Sequence, residues 1–261
     1  MCRGRMPKGV TPMDKPRRVD VEHLVERQIN RWNAEMARRR AAEATAETVE
    51  EGLAPYIAVS RQLGSQGNEL AGTLAEELGC QLWDREIVDY IAERANVRVA
   101  AVKSLGETWY NRAHDWIAGT IDRRFLACDE YVRHLVEVVT AMATHGPCVF
   151  LGRGVGFFMP PERGLRVRVV APIEQRVEYA VENYDMDVTE ARKLVNRSDA
   201  SKEGFVRTYF RTDLGSPLSH DLCLNLGSMS LEEAVAVCLS AHRAKFGTAP
   251  APSTAERASV N

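Results

Sequence analysis

The sequence predicts an α/β fold, with three α/β/α layers around a mostly parallel five-stranded sheet and an additional N-terminal helix. Three observations predict it. Short apolar runs punctuate the chain: "YIAVS" at 56–60, "QLWD" at 81–84, "CVFLGRG" at 148–154, "LRVRVVAP" at 165–172 and "DLCLNL" at 221–226. Stretches with helical spacing of apolar residues separate them, as crossovers between parallel strands require. A glycine-rich turn, "RQLGSQGNEL", joins the first run to the first such stretch.

Taken in order, residues 1–19 are rich in basic residues, Pro and Gly and read as a disordered leader. Residues 20–51 suit an amphipathic helix, because Val21, Leu24, Val25, Ile29, Trp32 and Met36 recur at three- and four-residue spacing. Its apolar stripe packs on the same domain or, as the alternative, joins copies into a homo-oligomer. The core domain spans 56–246. After the first strand, Asn68–Leu78 forms a helix with Leu70, Leu74 and Leu78 on one face and Gly79 as its stop. A helical region follows from about Arg85 to His145, ending with "YVRHLVEVVTAMATHG". Three helical segments lie between Pro172 and the last strand, and a final helix, Leu231 to about Lys245, starts at the N-cap Ser230. The Ala-, Pro- and Ser-rich tail, 247–261, reads as disordered.

Composition limits the function classes. At 45% hydrophobic and 27% charged the 261-residue chain is ordinary for a globular protein with a sizeable core. A formal net charge of -2 argues against broad nucleic-acid binding. No apolar run approaches bilayer length, and no secretory signal is evident. The six cysteines show no close pairing, and Cys148 and Cys223, inside apolar runs, read as buried free thiols. These features suit a reducing cytoplasm.

Ligands of parallel sheets bind beyond the carboxyl ends of the strands, which directs attention to 60–68, 84–86, 152–156 and 171–176. The first of these has the rhythm of a phosphate loop, in which backbone N–H groups and a helix N-terminus converge on an anion. In the G-x-x-x-x-G-K-[ST] register Gly67 is the second glycine, Gln62 replaces the first, Asn68 stands at the lysine and Glu69 at the Mg²⁺-binding hydroxyl. A plain strand–turn–helix accounts for the pattern equally well. Arg61, Arg85 and Arg153 all fall at predicted strand ends, where they form either an anion site or ion pairs. His114, His134 and His220 lack evident ligand partners, and Trp83, Trp109 and Trp116 suit packing as well as base stacking.

The motifs "VSRQLGSQGNEL", "WDREIV", "VFLGRGVGFF", "RVRVVAPIEQRV" and "HDLCLNLGSMSLEEAV" occur in the layout of the cytidylate kinase-like family, which the chain resembles from about Tyr56 to Phe246. The resemblance implies a P-loop nucleoside monophosphate kinase fold with a monophosphate-binding insertion at 97–144 and a lid at 196–211. It implies ATP and Mg²⁺, with transfer from ATP to CMP or dCMP. Gly64, Ser65, Gln66, Gly67, Asn68 and Glu69 then cradle ATP, and Arg61 stands in for the lysine. Arg153, Arg197, Lys202 and Arg207 neutralise the transferred group. Glu69 or Asp84 holds Mg²⁺, directly or through water. Asp84, Arg85, Glu86, Gly152 and Gly154 face the acceptor nucleotide. True cytidylate kinases carry the lysine and have Asp at the position of Gly154. A nucleotide- or anion-binding regulatory module with weak or no transfer is therefore the alternative.

Overall fold

The computed structural model describes residues 53–93 and 130–247, together with Val25, Asn30 and Ala34. The expected leader, most of the N-terminal helix, residues 97–129 of the insertion and the tail beyond 247 lie outside the described residues.

Five strands form one sheet: β1 (Tyr56–Arg61), β2 (Gln81–Trp83), β3 (Cys148–Leu151), β4 (Gly164–Val170) and β5 (Leu222–Asn225). The order is β2-β3-β1-β4-β5, and every neighbouring pair is parallel. β1 is central because it is apolar on both faces, with Tyr56, Ile57, Ala58 and Val59 all buried.

Alternation along β1 sorts the two cores. Ile57 and Val59 pack with Val149, Val167 and Val169 against Leu70 and Leu74 of α1 (Gly67–Glu77) and against Ala234 and Cys238 of α7 (Leu231–Phe246). Tyr56 and Ala58 pack with Phe150 on the other face. There they meet Val88 and Ile91 of α2 (Arg85–Glu93), Leu135 and Val139 of α3 (Glu130–Thr144) and Phe158 of α4 (Val155–Phe158). Val25, helical and 2% exposed, joins this second core. At that residue the N-terminal stripe packs on its own domain.

Local signals fix the helix ends. α1 stops in a Schellman motif: Gly79, at φ 59°, donates to the Glu76 carbonyl at 3.1 Å, and Cys80 donates to Ala75 at 2.9 Å. α2 is capped by Asp84, whose Oδ1 accepts from Ile87 N–H at 2.9 Å. α7 begins in a capping box of Ser230 and Glu233.

Between β4 and β5 run α5 (Ile173–Tyr184), α6 (Val188–Phe210) and a 3₁₀ turn, Pro217–Ser219. The third expected helical segment is thus this short turn. The expected lid is the C-terminal half of α6, continuous with its N-terminal half. The four-residue α4 was not expected; its N-cap Gly154 adopts a left-handed φ of 66° inside what reads as a continuous glycine turn. Cys223 is a correction: it is exposed, because β5 is an edge strand and nothing covers that side of it among the described residues. Cys148 is buried, as expected for a residue of a central strand. No described helix is long and apolar enough to cross a membrane.

Candidate active site

The loop after β1 turns left-handed twice, at Gly64 (φ 76°) and Gln66 (φ 59°), before α1 begins. Glycine is required where the loop presses on its neighbours. A Cβ on Gly64 would lie 2.6 Å from the Arg176 carbonyl oxygen, and one on Gly67 would lie 2.3 Å from Arg61 Cβ. Ser65 is buried and closes the turn, donating its hydroxyl to the Gln62 carbonyl at 2.9 Å. No side chain caps the N-terminus of α1, and the first N–H groups of a helix lack intrahelical partners.

Arg61 lies across this mouth. Its stem rests on Gly67, its Nε donates to Asn68 Oδ1 at 2.8 Å, and its Nη1 lies 2.8 Å from where a Gly152 Cβ would stand. Gly152 is brought there by pairing of β1 with β3, since its N–H donates to Val59 at 2.9 Å. The guanidinium thus sits beside the first turn of α1, between the loop and the end of β3. Lys202 of α6 donates to the Arg61 carbonyl at 3.2 Å and ties that helix over the loop.

The structure therefore brings together Arg61, Gly64, Ser65, Gln66, Gly67, Asn68, Glu69, Gly152 and Lys202. Arg153 follows Gly152 but turns toward the helices. Its Nε donates to Asp89 Oδ1 at 2.6 Å, its Nη2 pairs with Asp89 Oδ2, and its guanidinium faces the rings of Tyr131 and Phe205 at 5.8 and 5.5 Å. Burial disfavours the charge of Arg153, yet the bonds to Asp89 outweigh this and raise its pKa. Arg85 approaches the same Asp89 at 3.8 Å. Asp84 and Glu86 lie at the start of α2, on the far side of β3 from the loop. Arg197 and Arg207 are exposed on α6. Gly154 abuts the Phe210 ring, which a Cβ would approach to 2.4 Å. Phe210 also stacks on Phe157 and Phe158, at 5.9 and 5.6 Å. The space beside Gly154 is thus filled by an aromatic ring of α6.

Several residues here escaped the sequence reading. Arg176, 5% exposed, donates to the Ala171 carbonyl at 3.0 Å and to Asp199 Oδ2 at 2.7 Å. Tyr179 donates its hydroxyl to Glu69 Oε1. Asp89, which directly follows "WDREIV", gave no signal of its own, whereas Arg176 stands in "APIEQR" and was legible as a motif residue. Trp83 is buried and serves packing.

The donor set fits a triphosphate with its metal. Two left-handed turns, an uncapped helix start and one guanidinium provide N–H donors and positive charge for phosphate oxygens. Carboxylate oxygens suit Mg²⁺, which commonly takes one or two of them together with phosphates and water. Glu69 and Asp84 each have one oxygen engaged, by Tyr179 and by the α2 cap, and each keeps a second. They follow β1 and β2, which β3 separates, so they do not form one ligand pair.

A parallel sheet in this order, with a glycine loop entering a helix beside the central strand, defines a P-loop kinase type of α/β protein. The chain belongs to the cytidylate kinase-like family, whose model matches residues 56–228. It is 25% identical over 201 residues to a cytidylate kinase of Thermotoga maritima, covering 75% of this chain and 84% of that protein. An uncharacterized protein from Eubacterium ventriosum shares the fold, with a TM-score of 0.52 at 16% identity, over 72% of this chain and 98% of that one. A shikimate kinase from Bacteroides thetaiotaomicron aligns with a TM-score of 0.37 at 13% identity, over 73% of this chain and 96% of that one. The family and fold together indicate a nucleotide kinase-type phosphotransferase.

Proposed function

We propose that this protein transfers the γ-phosphoryl group of ATP to CMP or dCMP, with Arg61 in the role of the missing loop lysine. The observation that carries the reading is the 2.8 Å bond from Arg61 Nε to Asn68 Oδ1. It fixes a guanidinium beside the residue that replaces lysine, and a fork of N–H donors suits phosphate oxygens at least as well as an ammonium.

Phosphoryl transfer asks a protein mainly for positioning and charge neutralisation. The backbone from Gly64 to Glu69 orients the donor phosphates, and Ser65 holds that turn from within. Lys202 places α6 across the loop and, with Arg197 and Arg207, adds positive charge to the lid side. Glu69, through the oxygen that Tyr179 leaves, or else Asp84, directly or through water, would hold Mg²⁺. When bound, the ion would supply neutralisation of phosphate charge. Arg85, Glu86, Gly152, Arg153 and Gly154 border the acceptor side.

A second reading, nucleotide binding without transfer, is favoured by one observation. Arg153, a candidate for the transferring group, is held by Asp89 in a bidentate pair. Turnover separates the two readings. Formation of ADP and CDP that Arg61→Met reduces strongly supports the kinase. ATP binding by calorimetry with no ADP at high protein concentration supports the binding module.

A further inference from the structure

Glu69 and Glu233 occupy the same place in their helices, the third residue, with opposite outcomes. In α7 the Glu233 carboxylate turns back and accepts from the N–H of the N-cap Ser230 at 2.8 Å, closing the capping box. In α1 the N-cap is Gln66, and its side chain makes no capping bond. The Glu69 carboxylate does not supply the missing cap. It accepts instead from the hydroxyl of Tyr179, a residue of α5 110 positions along the chain.

What a returning carboxylate would occupy is the phosphate cradle itself. The N–H groups of the turn and the positive end of α1 attract phosphate, and the same field draws a nearby carboxylate. Unheld, Glu69 would compete with phosphate for those donors and repel it. Helix α5 is placed to prevent this, because it meets the loop at two points one turn apart. The Arg176 carbonyl oxygen lies 2.6 Å from where a Gly64 Cβ would stand, and Tyr179, three residues on, reaches Glu69. Both residues are themselves held. Arg176 donates to Ala171 at 3.0 Å and to Asp199 at 2.7 Å, and the Tyr179 ring meets Tyr184 edge-on at 6.5 Å between centroids. A phenol fixed in this way can hold a carboxylate in one direction.

We propose that Tyr179 is a positioning residue of the phosphate loop: its hydroxyl holds the Glu69 carboxylate off the first-turn N–H groups and keeps them open to the phosphates of the donor. The inference rests on the reading that this loop meets a polyphosphate, and it does not require that the phosphate be transferred. Tyr179 acts through Glu69 and needs no phosphate contact of its own.

Calorimetry of the full chain with ATP in EDTA, and with inorganic tripolyphosphate, tests it with no metal to bridge carboxylate and phosphate. Tyr179→Phe, which removes one hydroxyl, should weaken both probes about 10-fold. Glu69→Ala, which removes the carboxylate, should bind them as tightly as the wild type or more tightly. In the Glu69→Ala background, Tyr179→Phe should change nothing further. A bond that only braces α5 against α1 gives a different pattern: both single variants weaken binding, and Glu69→Ala does not rescue Tyr179→Phe. That pattern overturns the proposal, as does unchanged affinity in Tyr179→Phe. Should Tyr179→Phe not fold, the sign of the Glu69→Ala effect decides, and weaker metal-free binding overturns it. A wild type that binds neither probe overturns the proposal together with the phosphate-loop reading. A wild type that binds both but forms no ADP from MgATP and CMP counts against transfer alone, and the affinities of the variants still decide the role of Tyr179.

Discussion

Arg61 and Asn68, seven positions apart, are joined by a 2.8 Å hydrogen bond from the guanidinium Nε to the amide oxygen Oδ1. Arginine only donates, so it fixes which way the amide faces: the Asn68 NH₂ points away from the cation. The loop thereby gains a cation without carrying one at the lysine position. Because Arg61 ends β1, that cation stands on the most central strand of the sheet.

Removing it should remove transfer. Arg61→Met is expected to lower kcat/KM for ATP about 10²- to 10³-fold, read by ADP formation. Arg61→Lys should recover only part, since an ammonium lacks the fork. Asn68→Ala removes this hydrogen bond and should cost about 10-fold.

Gly154→Ala should destabilise the protein. The position has φ 66°, and the new Cβ would lie 2.4 Å from the Phe210 ring. A loss of about 1–2 kcal/mol is expected from the backbone alone. Phe210→Ala in the same chain should relieve the steric part, giving a coupling in a denaturation cycle that two independent losses would not show.

Asp89→Asn and Arg153→Met should each cost stability, because each leaves a half-buried partner with a poor match; their side chains are 19% and 20% exposed. About 1–3 kcal/mol is expected for each, and the double variant should lose less than the sum. The same cycle, read by turnover, tells whether release of Arg153 from Asp89 helps or harms transfer.

Stability should fall as pH drops below about 6.5. Burial lowers the pKa of His220; the bond to the Leu214 carbonyl opposes this, Arg168 and Arg166 add to the lowering, and Asp221 opposes it. The unfolded chain then takes up a proton before the folded one does. Stability is complete above the unfolded pKa and is lost as pH falls toward the folded one. His220→Asn should flatten the slope of melting temperature against pH between 7 and 5 (about the His titration range). His242, also lowered by burial, should leave a residual slope.

Much of this fold was legible because each strand is a short apolar run bounded by punctuation. Gly79 announced the stop of α1, and Ser230 the N-cap of α7. The loop was legible for the same reason, since Gly64 and Gly67 mark turns that backbone geometry demands. What stayed hidden lies in the partners that tertiary packing chooses. Asp89 sits on a helix face whose neighbour, Arg153, follows a strand 64 positions away. Phe210 meets Gly154 only because α6 runs unbroken through the expected lid. Cys223 looked buried because its neighbours are apolar, but an edge strand covers one face poorly. The "RVRVV" run carried a further signal. Charges at alternate positions of a strand enclosed on both faces must meet something polar: Arg166 meets Asp221, and Arg168 meets Ser60.

The most direct test of the central claim is ³¹P NMR of ATP, Mg²⁺ and CMP with the wild type and with Arg61→Met. The account predicts ADP and CDP signals from the wild type and a loss of about 10²-fold or more in their rate of appearance from the variant. Equal turnover by both proteins, or none by the wild type at high concentration while ATP remains bound, would contradict it.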